Sequence, residues 1–160
     1  MKFVFTTIIS LFLLYSYSQT NTLNKKVEQL FAQQKVEEAQ TLIVAQLNQA
    51  HQQKLYHQLN TIFPLYISSI KEYKNKETYD KAIVSYKKII QQAFYTHLHD
   101  SLKAQNLMEY GLTLSKKQQY FEALEVYKEI QDKYPSVLQN DIPFKSLIYI
   151  ETSWCYSYLG

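Results

Sequence analysis

The sequence is poor in everything that interrupts or staples a chain. It has one cysteine, two glycines and three prolines in 160 residues. The lone Cys155 excludes an internal disulfide and is too isolated for a zinc site, so stability must come from packing. It reads as a buried, inert thiol. Few glycines and prolines leave long stretches without a breaker, which excludes a turn-rich β architecture and favours helix. Arginine is missing altogether: every basic residue is lysine. Guanidinium groups make the two-pronged contacts to phosphate and guanine, and a net charge of +3 without a basic block is weak. Both observations argue against a nucleic-acid partner. A bias towards Lys, Asn, Gln, Ile and Tyr is also what an AT-rich genome yields.

Long apolar runs are equally scarce. The longest opens the chain: one lysine, Lys2, then the stretch Phe3 to Tyr15, then Ser16-Tyr17-Ser18. A short basic start, an apolar run of about a dozen residues and small residues before a cut have the layout of a secretory signal peptide. Cleavage is expected near Ser18–Gln19, making residues 1–18 the signal. The run is shorter than the roughly 20 residues that span a bilayer. No cysteine follows it to carry a lipid. Removal leaves about 142 residues, one domain's worth of chain with room for a core, and a charge of about +2. The remainder, residues 19–160, holds no membrane span, and the protein is expected to be exported, periplasmic or secreted, and bacterial.

Apolar residues recur at three and four, as in Leu107, Tyr110 and Leu114, then Tyr120, Leu124, Tyr127 and Ile130. These are helical spacings. They predict helices over 21–33, 36–50, 53–75, 78–94, 98–117, 119–133 and 143–159, without sheet. Pro64 is expected to kink the third or start a new one. Pro135 and Pro143 bracket an expected loop, with Asp141 capping the last helix and Pro143 in its first turn.

One segment, 104–137, carries a pattern: Leu107, Tyr110-Gly111, Leu114, Tyr120, Ala123, Tyr127 and Pro135. Two helices of a hairpin approach closely only where side chains are small, which Gly111 and Ala123 supply. Tyr120 and Tyr127 fill the space around the crossing. Weaker copies place Tyr66, Ser69, Tyr73, Tyr79, Ala82 and Tyr86, then Leu23, Leu30, Ala39 and Ile43, then Tyr149, Thr152, Ser153 and Tyr156 at matching positions. The copies start near residues 20, 63, 104 and 146, a period of about 42. The excess over a 34-residue period falls before each first helix, as in 53–62 and 96–103, which implies lengthened first helices or ordered linkers.

This pattern resembles the tetratricopeptide repeat. Tyr110 in place of leucine and Leu114 in place of an aromatic depart from it. The resemblance implies an all-α helix-hairpin solenoid of about three and a half repeats, the last incomplete. It further implies a scaffold that binds a peptide or partner helix on a concave face lined by the first helix of each pair. Carried over by position, that face includes Ile67, Lys71 and Lys74, then Met108, Leu112 and Ser115, then Ile150, Trp154 and Tyr158. Lys71, Lys74, Met108, Leu112 and Trp154 are the expected partner contacts. The last helix lacks the partner that would cover Ile150, Trp154 and Tyr158. Residues 1–160 are therefore expected to be the start of a longer array, with self-association through 143–160 or a capping role as the rivals. An alternative function is the sensing region of a membrane-bound histidine kinase or transcription regulator whose effector lies downstream.

Residues for catalysis or cofactor binding are not assembled. His97-x-His99-Asp100 offers two metal ligands without a third at a recognisable spacing, and His51 and His57 do not share a helix face. Gly111 and Gly160 cannot make a phosphate loop. The acidic series Glu122, Glu125, Glu129 and Asp132 reads as a solvated helix face paired with lysines. No enzyme activity, metal or other cofactor is expected, and the expected partner is protein or peptide.

Overall fold

The computed structural model describes residues 21–160, and the expected signal peptide lies outside them. Among the described residues the regular structure is helical throughout, as the spacing predicts. The chain divides into two compact units, one running to Ser69 and the other Ile70–Gly160.

The first unit contains α1 (21–32), α2 (Val36–Gln52) and most of α3 (Tyr56–Lys71). Its buried residues follow helical stripes: Leu23 and Val27, then Ala39, Ile43 and Leu47, then Leu59, Ile62, Phe63 and Tyr66. The Phe63 and Tyr66 rings stack 6.1 Å apart. Pro64 sits inside α3, which stays one continuous helix. No new helix starts there: Pro64 is exposed, and α3 buries residues both before and after it.

One turn geometry recurs. Gln34, Lys54 and Gln118 have left-handed φ angles of 58°, 57° and 66°. At each, the residue's own N–H donates three residues back and the next N–H donates five back: Gln34 to Phe31 and Lys35 to Leu30, Lys54 to His51 and Leu55 to Ala50, Gln118 to Ser115 and Gln119 to Leu114. This is the Schellman closure that satisfies the orphan carbonyls of a helix end. It is made here without glycine. It ends α2 at Gln52 and restarts the chain at Tyr56, so residues 53–55 are turn rather than helix.

The second unit contains α4 (Tyr79–Ile90), a 3-10 turn (Ala93–His97), α5 (Asp100–Lys116), α6 (Tyr120–Lys133), α7 (Pro135–Asn140) and α8 (Ile142–Leu159). The third and fourth predicted helices are thus shorter than read. Asn75 and Thr78 hold the intervening loop by reciprocal bonds, with Thr78 N–H donating to Asn75 Oδ1 at 3.0 Å and Asn75 N–H to Thr78 Oγ1 at 3.3 Å. The expected loop at 135–143 contains α7, because Pro135 ends α6 and serves as the first residue of a new turn of helix. Asp141 caps α8 as expected, its Oδ1 accepting from Phe144 N–H at 2.9 Å.

Helices α5 and α6 form the central hairpin; α4 packs on α5, and α8 packs on α6 and α5. Their core joins Ala104, Leu107, Met108, Leu114, Ala123, Tyr127, Ile130, Ile148 and Cys155. An added Cβ on Gly111 would lie 2.9 Å from Tyr127 Cζ and nearer still to Cε1. The bare Gly111 therefore sets how closely Tyr127 of α6 approaches α5. Lys71 pairs with Glu109 and Lys117 with Asp80, tying α5 to the chain before it.

Candidate functional site

Helix α8 is built unlike the others. Between Asp141 and Gly160 only Lys145 and Glu151 are charged. Ile148 and Cys155 are buried on one side, and Thr152 is half-buried with them. The rest of the circumference is open and carries large apolar side chains between Ser146, Ser153 and Ser157. Tyr149, Ile150, Trp154, Tyr156 and Tyr158 are all more than half exposed, Trp154 at 58% and Ile150 at 52%. Large exposed apolar patches mark contact surfaces.

Neighbouring rings order this face. Tyr120, at the start of α6, stacks on Tyr158 with centroids 4.9 Å apart and planes 5° from parallel. Trp154 lies 6.0 Å from Tyr158, and Lys145 Nζ lies 6.0 Å above the Tyr149 ring. Phe121, beside Tyr120, is 69% exposed. A shallow open groove of about 290 Å³ runs along Ser153, Trp154 and Ser157. Both serines satisfy themselves on the helix: Ser153 Oγ donates to Tyr149 O at 2.9 Å and Ser157 Oγ to Trp154 O at 2.7 Å.

Beneath α8 lies a partly buried polar chain. The Tyr127 hydroxyl and Ser115 Oγ are 3.3 Å apart, and Ser115 Oγ is 3.3 Å from Cys155 Sγ. One residue from each of α6, α5 and α8 is thus joined. Burial pushes the Tyr127 phenol well above its ordinary value, with the Ser115 bond pulling back. Burial does the same to Tyr95, whose hydroxyl accepts from Asn106 Nδ2 at 3.3 Å. Cys155 is the free, buried thiol expected of it.

The five expected contact residues do not form one surface. Met108 is only 2% exposed and sits in the α4–α6 core, so it cannot meet a partner; the first-helix position that the resemblance assigned to a concave face is filled here by packing. Leu112 is half-buried against the same core. Ile67 is buried. Lys71 and Lys74 are exposed but already paired, with Glu109 and with Glu72. Trp154 alone stands open on an apolar face. Tyr149, Tyr156, Ser153 and Ser157 extend that face and were not read as contacts. Their signal was present in the sequence: apolar residues on every side of one nearly uncharged helix.

His97 and His99 are exposed on the 3-10 turn and the residue preceding α5. Among the described residues no three His, Cys, Asp or Glu side chains converge to hold a metal ion, and no helix is long and apolar enough to cross a membrane. No family model, curated protein or solved structure matches the chain.

Proposed function

We propose that the protein is an exported interaction scaffold of tetratricopeptide-like helix hairpins, binding a partner helix or peptide through the open face of α8. The observation that carries this is Trp154, standing exposed between Ile150 and Tyr158, one turn to either side, on a helix with almost no charge. Large aromatic side chains that are ordered and exposed are the usual anchors of an interface. Of the positions that the hairpin resemblance assigns to binding, Ile150 and Trp154 are exposed apolar ones. The close Gly111–Tyr127 crossing and the recurring tight turns support the hairpin reading. The apolar stretch before Ser16 supports export.

The test is an Ile150→Glu, Trp154→Glu double variant. Both side chains are exposed, so the variant keeps its helical circular dichroism. A partner captured by the wild-type chain and then purified binds the variant about tenfold or more weakly, as loss of an aromatic anchor requires. Equal affinity of that purified partner for both chains overturns the assignment of this face.

A further inference from the structure

Helices α5 and α8 repeat one another at an offset of about 42 residues. Leu107, Gly111, Leu112 and Ser115 correspond to Tyr149, Ser153, Trp154 and Ser157. The sides facing the preceding hairpin correspond as well. Tyr110 of α5 meets Tyr86 of α4, with centroids 5.6 Å apart, and Thr152 is its counterpart on the half-buried side of α8. The other side of α5 is where Tyr127 sits: its ring covers Gly111 and its hydroxyl bonds Ser115. On α8 the counterparts of Gly111, Leu112 and Ser115 are Ser153, Trp154 and Ser157, the three residues that line the open groove.

Resting on the binding reading above, we propose that this groove seats a tyrosine from an amphipathic partner helix, as α5 seats Tyr127. Ser157 Oγ spends its proton on Trp154 O, which leaves its lone pairs to accept a phenol O–H. Ser153 carries the Cβ that Gly111 lacks, so the ring rides higher than Tyr127 does, against the flank of Trp154. Rings of the chain itself already order the neighbourhood of Trp154: Tyr120 of α6 stacks on Tyr158, whose ring lies 6.0 Å from Trp154. The occupant's apposed face is uncharged, because the three groove residues carry no charge, α8 has only the half-buried Lys145 and Glu151, and desolvating an unpaired charge is costly. It also carries a small residue four before the tyrosine, as Ala123 precedes Tyr127, so that the helices approach. A second copy of this chain does not supply such a pair from its second unit: Ala82 with Tyr86 and Ala123 with Tyr127 are buried.

The one tryptophan of the chain stands in the groove, so its emission reads occupancy directly. The probe is a synthetic peptide of residues 119–134, which carries Ala123 and Tyr127 and no tryptophan. Titrated into the 160-residue protein, it shifts Trp154 emission to the blue and saturates. Binding weakens about tenfold or more with the peptide's Tyr127→Ala form, and likewise when Ser153→Phe fills the groove. Circular dichroism shows that the Ser153→Phe protein keeps its helices. No shift with the peptide overturns the proposal. So does a shift that survives either substitution, and so does a blue shift that grows with protein concentration alone, which assigns the groove to a second copy. A silent titration alongside lost binding of the purified partner by the Ile150→Glu, Trp154→Glu variant removes the tyrosine seat and leaves the binding face standing.

Discussion

The ring of Tyr127 lies against the bare Cα of Gly111. No Cβ fits between them, since the nearest ring atoms would be at or under 3.0 Å. Tyr127 has no exposed surface, and its hydroxyl is held by Ser115, so the ring has nowhere to retreat. Glycine is therefore kept in the middle of α5 against its own helix propensity, which costs about 1 kcal/mol relative to alanine.

Gly111→Ala measures that trade. In an isolated helix the change stabilises. Here it overpacks a fixed ring, which costs about 1–3 kcal/mol and exceeds the propensity gain. Thermal unfolding should begin at a lower temperature than in the wild type. A melting temperature that is equal or higher would mean that Tyr127 moves aside freely.

Gln118→Gly should act the other way. Gln118 holds a φ of 66° at the turn between α5 and α6, where a side chain strains the backbone. Glycine removes about 1 kcal/mol of that strain, less what it adds to the entropy of the unfolded chain. The expected result is a small gain in denaturation midpoint with an unchanged slope, and Gln118→Val should lose stability. Equal midpoints for all three would show that the turn is not held in the left-handed conformation.

Met108→Glu would have served as a binding variant had Met108 lined a surface. Its burial makes it a folding variant instead. An unpaired carboxylate in the α4–α6 core costs several kcal/mol or takes up a proton. The variant should be poorly folded near neutral pH and recover as pH falls, which near-ultraviolet circular dichroism would follow. Wild-type stability at neutral pH would contradict the packing described for this residue.

Alkaline pH should unfold the protein through its buried phenols. Tyr127 and Tyr95 are both pushed well above their ordinary value of 10.0 by burial. The folded chain thus keeps protons that the unfolded chain releases. Their contribution to stability is complete below pH 10 and falls as pH climbs past it. Melting temperatures recorded from neutral to strongly alkaline pH should show that decline, together with delayed phenolate absorbance. Tyr127→Phe loses about 1 kcal/mol of hydrogen bonding at neutral pH but should decline less steeply. An identical slope would move the effect to other tyrosines.

Much of the helix inventory is legible in residue spacing, because burying one stripe of a helix imposes a period near 3.6 on any chain. The α5–α6 hairpin was readable for a sharper reason: Gly111 is bare where the large Tyr127 ring packs, and the small Ala123 is buried on the same helix as that ring. The cap at Asp141 was equally local. The turn at 53–55 was not, since Lys54 adopts a left-handed conformation that its residue type does not announce. Whether Pro64 starts a new helix was not local either, since α3 runs through it with buried residues on both sides.

Composition and periodicity by themselves determined that this is a helical chain without an internal disulfide, with Gly111 and Tyr127 on facing helices of one hairpin. Those properties depend on near neighbours along the sequence and on side-chain size. Which apolar residues are covered depends instead on distant segments meeting. Met108 and Trp154 look alike as apolar positions on first helices, yet one is enclosed by α4 and α6 and the other stands open on α8. Only the tertiary structure decided between them, because burial is a property of what packs against a residue and not of the residue itself.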